Sequence, residues 1–172
     1  MDFECDIQSK YDFSASTVTY LSSTFPDADV RFYGVDSNGN MVDWDSASVT
    51  SHLDIYMLFN NVRYACELKE RWGKYHSTYY GEPDNEGWIY NIEKDNFLKQ
   101  AAENGDIPLY VNLYPDDKIR IWNINKITDD DLGRVEKYIH KYTVKDSPRL
   151  LQKRYTLMND TGIIIDRIRA DV

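Results

Sequence analysis

Three ionisable residues stand at positions where they could do chemistry together: Asp54, Glu67 and Lys69. Carboxylate oxygens suit Mg²⁺, which proteins typically hold with one or two carboxylates, waters and substrate phosphates. A lysine beside such a metal can stabilise the negative charge that develops on a phosphate under attack. These residue types therefore indicate a metal site for phosphate chemistry, and a solvated sheet edge carrying ordinary charges is the alternative.

A predicted β-hairpin must bring these residues together. Residues 53–69 read as two strands joined by a tight turn at Asn60 and Asn61, and both arms are rich in aliphatic and aromatic side chains. Asparagine tolerates the positive φ that such a turn needs, so we predict a two-residue loop in which Phe59 faces Val62.

The register of this hairpin decides which charged side chains meet. Continued outward, it places Asp54 opposite Glu67 on a non-hydrogen-bonded rung, with Cβ atoms about 4.5–5.5 Å apart, and His52 opposite Lys69. Glu67 and Lys69 share a face because side chains alternate along a strand. Facing carboxylates repel each other, and a shared divalent cation would relieve that repulsion.

An aspartate followed, after a hairpin, by Glu67-Leu68-Lys69 resembles the core of the PD-(D/E)XK nuclease superfamily. Over residues 50–125 the chain is similar to small phage and bacterial nucleases of the Holliday-junction-resolvase-like branch, although Leu53 stands where proline is usual. Further points of likeness are His52-Leu53-Asp54, Glu67-Leu68-Lys69-Glu70-Arg71, Ser77-Thr78-Tyr79-Tyr80-Gly81, Glu93-Lys94 and Pro108-Leu109-Tyr110-Val111-Asn112.

The resemblance implies an α+β (α/β), restriction-endonuclease-like core, in which a central mixed β-sheet with an antiparallel hairpin carries the site and helices flank it. It implies that Asp54, Glu67 and the backbone carbonyl of Leu68 hold Mg²⁺, with Mn²⁺ as an alternative. Lys69 would then orient or activate the attacking water. A helix before the sheet sometimes supplies an accessory acid, for which Glu4 is the candidate in competition with Asp6 and Asp12.

The segment from residue 70 to 87 is long, polar and without an apolar period, and loops of this length are usually functional or disordered. It leaves directly from the Glu-x-Lys strand, so its hydroxyl and basic groups could contact phosphate. Relatives also carry polar residues on the following helix, where Glu93 is a second candidate accessory acid. The candidate substrate-binding residues are His52, Arg71, Lys74, Ser77, Thr78, Tyr80 and Lys94. The alternatives are a structural role for His52, a solvated helix face for Lys94 and Glu93, and flexibility with no role for the loop residues.

The chain has 172 residues, a formal net charge of −9 and two cysteines. This length fits a single domain over residues 1–172, with a core at about 29–125 and a C-terminal extension at about 126–172. The acidic balance argues against broad nucleic-acid binding, because phosphate contact is mainly cationic, but a local basic patch can coexist with it. Fourteen tyrosines could stack on bases or simply pack with a solvated hydroxyl.

No run approaches the roughly 20 apolar residues of a membrane span, and the acidic N-terminus does not resemble a secretion signal. Cys5 and Cys66 give no disulfide framework, and Cys66 is expected in the core. There is no Walker phosphate loop, zinc-spaced Cys/His set or serine nucleophile elbow. We expect a cytoplasmic protein of a bacterial or phage-infected cell, with no membrane partner.

The remaining elements follow from periodicity and turn signals. We predict strands at 29–35, 41–44, 107–113 and 119–124, a short helix ending before Pro26, helices at 88–103 and 128–139, and an appended hairpin or strand-loop-strand unit at 150–166.

The function that these expectations favour is a Mg²⁺-dependent deoxyribonuclease that hydrolyses DNA phosphodiester bonds. Single-stranded, double-stranded and branched DNA remain open as substrates, as do endonuclease against exonuclease action and a homodimeric state. The alternative is a non-catalytic phage or bacterial interaction protein on a nuclease-like fold.

Overall fold

The computed structural model describes residues 3–48, 51–71, 88–140, 149–157 and 161–171. Its helices are α1 (Phe3–Thr24) and α2 (Ile92–Glu103), with short 3₁₀ turns at Trp44–Ser46, Ile124–Lys126 and Asp129–Asp131. The strands are β1 (Val30–Val35), β2 (Met41–Val42), β3 (Ile55–Phe59), β4 (Val62–Glu70), β5 (Trp88–Asn91), β6 (Ile107–Leu113), β7 (Lys118–Asn123), β8 (Leu132–His140), β9 (Arg149–Leu157) and β10 (Ile163–Asp166).

The central sheet has seven strands in the order β10-β7-β6-β4-β3-β1-β2. β4 and β6 run parallel, and α2 lies in the connection between them, as a parallel pair requires. The other neighbouring strands of this sheet pair antiparallel. The predicted α+β class, with a mixed sheet, a central antiparallel hairpin and flanking helices, is confirmed.

Each face of the sheet packs against one helix. Alternation along β4 sends Cys66 and Leu68 into a core that includes Phe13 of α1, and it sends Ala65 toward Leu98 of α2. Cys66 is fully buried, as expected, and burial raises the pKa of its thiol well above the ordinary value. Glu67 and Lys69 therefore belong to the face that α2 covers.

The N-terminal helix is much longer than predicted, because it extends over 22 residues. Apolar periodicity did not reveal it, since the buried side of α1 is largely polar: Ser9, Asp12, Ser16 and Thr17 are all buried. No helix among the described residues has the length and apolarity needed to cross a membrane.

The helix predicted from residue 128 to 139 is wrong. Thr128 does cap a helical turn, but this is a single 3₁₀ turn. In it, the Thr128 N–H donates to the Asp131 carboxylate at 2.8 Å. Beyond it, Gly133 disfavours a helix, and β-branched and aromatic residues form β8, which pairs antiparallel with β9.

Two other boundaries differ from the prediction. β5 occupies the first four residues of the expected helix at 88–103 and pairs with β9, and the Asn91 side chain then caps α2 by accepting from the Glu93 N–H at 2.8 Å. β9 and β10 do not form one appended hairpin. β9 lies between β5 and β8 in a three-stranded sheet, whereas β10 pairs with β7 at the edge of the central sheet.

Candidate active site

The hairpin that carries the candidate site has the predicted turn. Asn60 and Asn61 adopt φ of 49° and 65°, and Phe59 pairs with Val62. Both turn residues therefore occupy the left-handed region that a tight turn of this kind requires.

The ladder is shorter than predicted. Its outermost pair is Ile55 with Cys66, because the chain bends at residues 52–54, so the predicted ladder pairs Asp54–Glu67 and His52–Lys69 do not form. Asp54 nevertheless stays at the edge of β4: its N–H donates to the Cys66 carbonyl at 3.2 Å.

The side chain of Asp54 reaches the backbone of the Glu-x-Lys motif. Its Oδ2 accepts the N–H of Leu68 at 2.8 Å. The N–H and C=O of one strand residue point to the same edge of that strand, so the Leu68 carbonyl faces the side on which Asp54 lies. The aspartate carboxylate and this carbonyl are thus arranged along one open edge of β4.

Glu67 is the buried member of the site, with 2% of its surface exposed. Its carboxylate pairs with the Lys94 ammonium at 3.1 Å. The same ammonium donates to the His52 carbonyl at 2.8 Å, so Lys94 of α2 connects the residues before β3 to the centre of β4.

Electrostatics at Glu67 are unfavourable to its charged form. Burial, and next the negative charge of Asp54, raise its pKa to about 8, although Lys94 and Lys69 act in the opposite direction. Asp54 is therefore close enough to disfavour ionisation of Glu67, and the cationic groups present offset this only in part.

A polar cluster lies next to the site on β6. Tyr110 is in register with Glu67 and Asn112 with Lys69, so these side chains share the α2 face. Arg71, only 6% exposed, donates to Asn112 Oδ1 at 2.6 Å and to the Tyr110 hydroxyl at 2.7 Å. Within the described part of the chain, the Asn112 Nδ2 has no hydrogen-bond partner.

The chain is similar to a Holliday junction resolvase of the archaeal hyperthermophile Archaeoglobus fulgidus, with 15% identity and a TM-score of 0.37, over 68% of this chain and 80% of that chain. No family model matches the chain, and no curated protein matches it.

The structure brings several sequence-predicted residues together and separates others. Asp54, Leu68, Glu67 and Lys94 are joined by the contacts above, and Lys69 is exposed on the face of Glu67. His52 contributes its carbonyl, while its ring stacks on Phe97 at 4.1 Å between centroids. Arg71 is buried in the β6 cluster, which leaves it turned away from solvent. Lys74, Ser77, Thr78 and Tyr80 lie outside the described residues.

The candidate accessory acids lie on two different helices, α1 and α2. Glu93 is exposed and follows the cap of α2, and Glu4 belongs to α1. Asp12, which competed with Glu4, is fully buried and pairs with Arg167 at 2.9 Å. Arg167 also pairs with Glu70, which is on the α1 face, so this ion-pair cluster is on the opposite side of the sheet from Glu67.

The sequence prediction missed the roles of Tyr110 and Asn112. Their relation to Glu67 and Lys69 depends on the parallel register of β4 and β6. These two strands are separated in the chain by residues 71–106. The sequence does contain one signal, which is Asn112 within an otherwise apolar strand. A polar side chain that a strand buries normally has a hydrogen-bond partner or a function.

Proposed function

We propose that this protein is a metal-dependent deoxyribonuclease that hydrolyses DNA phosphodiester bonds at the site formed by Asp54, Glu67 and Lys69. The observation that carries the proposal is the Asp54 carboxylate, which accepts the Leu68 N–H beside Glu67 and is near enough for its charge to contribute to raising the pKa of Glu67 to about 8. Glu67, whose ionisation is disfavoured by burial and by the charge of Asp54, would form with Asp54 a donor set that a divalent cation would stabilise.

The residues present fit a magnesium site with an open coordination sphere. Asp54, Glu67 and the backbone carbonyl of Leu68 would hold Mg²⁺ or Mn²⁺. Among the described residues no three His, Cys, Asp or Glu side chains are grouped so that they could hold a metal ion by themselves. Mg²⁺ is typically held by one or two carboxylates, with waters and substrate oxygens completing the sphere. When bound, the metal supplies Lewis acidity toward a phosphoryl oxygen and lowers the pKa of a coordinated water.

The two lysines have different roles in this proposal. Lys69 is exposed beside Glu67, so its ammonium can reach a phosphate, orient the attacking water and stabilise developing negative charge. Lys94 is held by Glu67 and the His52 carbonyl, and it supplies the buried carboxylate with one compensating positive charge. Lys94 therefore keeps Glu67 in place and sets how strongly that carboxylate binds a cation.

The net charge of −9 favours a second candidate, a non-catalytic interaction protein on the same fold. An acidic chain gains little from general phosphate attraction, so DNA binding would have to come from local groups such as Lys69. Metal titration distinguishes the two candidates, since a ligand that binds only the folded state raises the melting temperature.

The test is cleavage of linear duplex, single-stranded and branched DNA with Mg²⁺ or Mn²⁺. Glu67→Gln and Lys69→Ala are expected to abolish cleavage while the melting transition persists. Glu103→Gln, an exposed glutamate at the end of α2, is the matched control and should cleave like the unchanged protein. Normal cleavage by either site variant would refute the assigned roles. No cleavage of any substrate, with no metal-dependent rise in melting temperature, would favour the interaction protein.

Size-exclusion chromatography in the same buffers would determine whether the protein is a homodimer.

A further inference from the structure

The charge of the chain is reversed locally in the two strands β8 and β9. These nine-residue strands together contain five lysines and arginines and one acid, so their formal charge is +4 within a chain of −9. The acid is Glu136, and the cations are Arg134, Lys137, Arg149, Lys153 and Arg154. An acidic chain that binds a polyanion needs such a local excess of positive charge.

The base of this three-stranded sheet is fixed beside the proposed catalytic site. The Tyr90 ring of β5 lies 4.7 Å, between centroids, from the ring of Tyr110, which is in register with Glu67. Asn91, the register partner of Arg154, caps α2, and β9 also contacts that helix. The basic strands therefore start on the α2 face of the central sheet, the face to which Glu67 belongs.

From this base, β8 and β9 extend beyond the strand that anchors them. β8 pairs with all nine residues of β9, whereas β5 pairs with residues 154–157. Residues 136–140 and 149–153 thus form a two-stranded unit, the β8–β9 ribbon, which has no third strand within the described residues. Five residues at about 3.4 Å each extend it roughly 17 Å past the cap of α2. A two-stranded unit is marginally stable by itself in water, so a bound partner would stabilise it.

The register of the ribbon leaves positive charge uncompensated. Lys153 is opposite Glu136, but Lys137 is opposite Gln152 and Arg149 is opposite His140. Cations without an acid on the same rung gain from an anion brought by a partner. A DNA duplex has one negative charge per about 1.7 Å of its axis, so a duplex along the ribbon offers several phosphates to each cation.

We propose that the β8–β9 ribbon is a contact surface for double-stranded DNA next to the cleaved bond. Lys137, Arg149 and Lys153 would bind phosphates, and the major groove, about 12 Å wide, admits a two-stranded ribbon. A duplex is favoured over a single strand because each phosphate contact releases more counterions from it. Phosphate contacts position a protein without reading sequence, so duplexes of unrelated sequence should bind alike. The identity of the partner rests on the proposed nuclease function.

The experiment is fluorescence anisotropy of a labelled DNA duplex with the full chain, in a chelating buffer without divalent metal. The ribbon variant is Lys137→Gln/Arg149→Gln/Lys153→Gln. At about 0.1 M salt it should bind about tenfold or more weakly, because each lost phosphate contact lowers the slope of log K against log salt by about 0.9. The slope should therefore decrease by about 2.7 for the three contacts.

Matched variants separate the ribbon from net charge. Arg31→Gln/Lys118→Gln/Lys126→Gln removes one arginine and two lysines at accessible positions outside β8 and β9, and should keep the slope. The charge-preserving variant Lys137→Arg/Arg149→Lys/Lys153→Arg should bind like the unchanged protein. If melting shows that the ribbon variant does not fold, Lys153→Gln alone should still lower the slope by about 0.9.

Four results would overturn the proposal. They are no binding of the duplex, an unchanged slope in the folded ribbon variant, an equal loss in the matched control, and tighter binding of single-stranded DNA or duplex RNA of the same sequence.

Binding and cleavage fail separately. Duplex binding that depends on the ribbon, in a protein that cleaves no DNA with metal present, would refute the nuclease proposal and support this one. Cleavage by a protein whose duplex binding is unchanged in the ribbon variant would refute this proposal alone.

Discussion

The ammonium of Lys94 lies 3.1 Å from the carboxylate of Glu67, and it reaches that position from the first turn of α2. Glu67 is buried on the central strand of the sheet, so its charge is expensive unless a cation is near. Lys94 supplies part of that compensation, and the raised pKa of Glu67 shows that the compensation is incomplete. This relationship leads to the first two predictions.

Lys94→Met is expected to lower the free energy of unfolding by about 1–3 kcal/mol at pH 8, because it leaves a buried carboxylate with less compensating charge. Urea denaturation measures the change. The matched comparison is the same substitution in a Glu67→Gln background, where little should be lost since no charge remains to be compensated. Equal losses in both backgrounds would show that Lys94 stabilises the fold by some means other than Glu67.

The pH dependence of stability in a chelating buffer should report Glu67. Its pKa is raised from the ordinary 4.5 to about 8, mainly by burial, so the folded state binds this proton more tightly than the unfolded state does. The resulting stabilisation is fully present below about pH 4.5 and is lost as the pH rises through about 8. The melting temperature is therefore expected to fall over this interval, and Glu67→Gln should flatten the fall. Addition of Mg²⁺ at pH 8 should raise the melting temperature of the unchanged protein more than that of Glu67→Gln.

Arg71 should behave as a structural residue, although the sequence suggested a phosphate contact. It is buried and donates to Asn112 and to the Tyr110 hydroxyl, so Arg71→Met leaves two acceptors without their donor. We expect the free energy of unfolding to fall by about 2–3 kcal/mol. Any DNA affinity that remains should keep its dependence on salt, because no phosphate contact is removed. A shallower salt dependence with unchanged stability would instead place Arg71 on the nucleic acid.

Local chemistry predicted the hairpin well, and the reason is visible in the turn. Asn60 and Asn61 are suited to positive φ, and apolar residues on both arms fix the register from Phe59 and Val62 to Ile55 and Cys66. The end of the ladder could not be predicted, because the bend before Ile55 depends on contacts with α2. One of these contacts is the Lys94 hydrogen bond to the His52 carbonyl.

The errors elsewhere came from reading apolar periodicity alone. The long α1 was missed because its buried side carries Asp12 and Thr17 in place of apolar residues. The strand β8 was read as a helix because a cap at Thr128 precedes apolar residues that also suit a strand. In both places the structure is decided by a partner distant in sequence, either the C-terminal segment around Arg167 or the strand β9.

The final prediction concerns that C-terminal segment. Arg167 is buried and pairs with Asp12 at 2.9 Å and with Glu70 at 2.6 Å, and the Ser9 hydroxyl donates to Glu70 at 2.6 Å. Arg167→Met would leave the buried Asp12 without its main cation, so we expect the free energy of unfolding to fall by about 3–5 kcal/mol. Arg169→Met is the control: that side chain is 52% exposed and lies 3.8 Å from Asp12, so its loss should cost at most about 1 kcal/mol. This result would show that the ion-pair cluster around Arg167 holds α1 and the end of β4 to the C-terminal segment. Similar losses of unfolding free energy for Arg167→Met and Arg169→Met would contradict this.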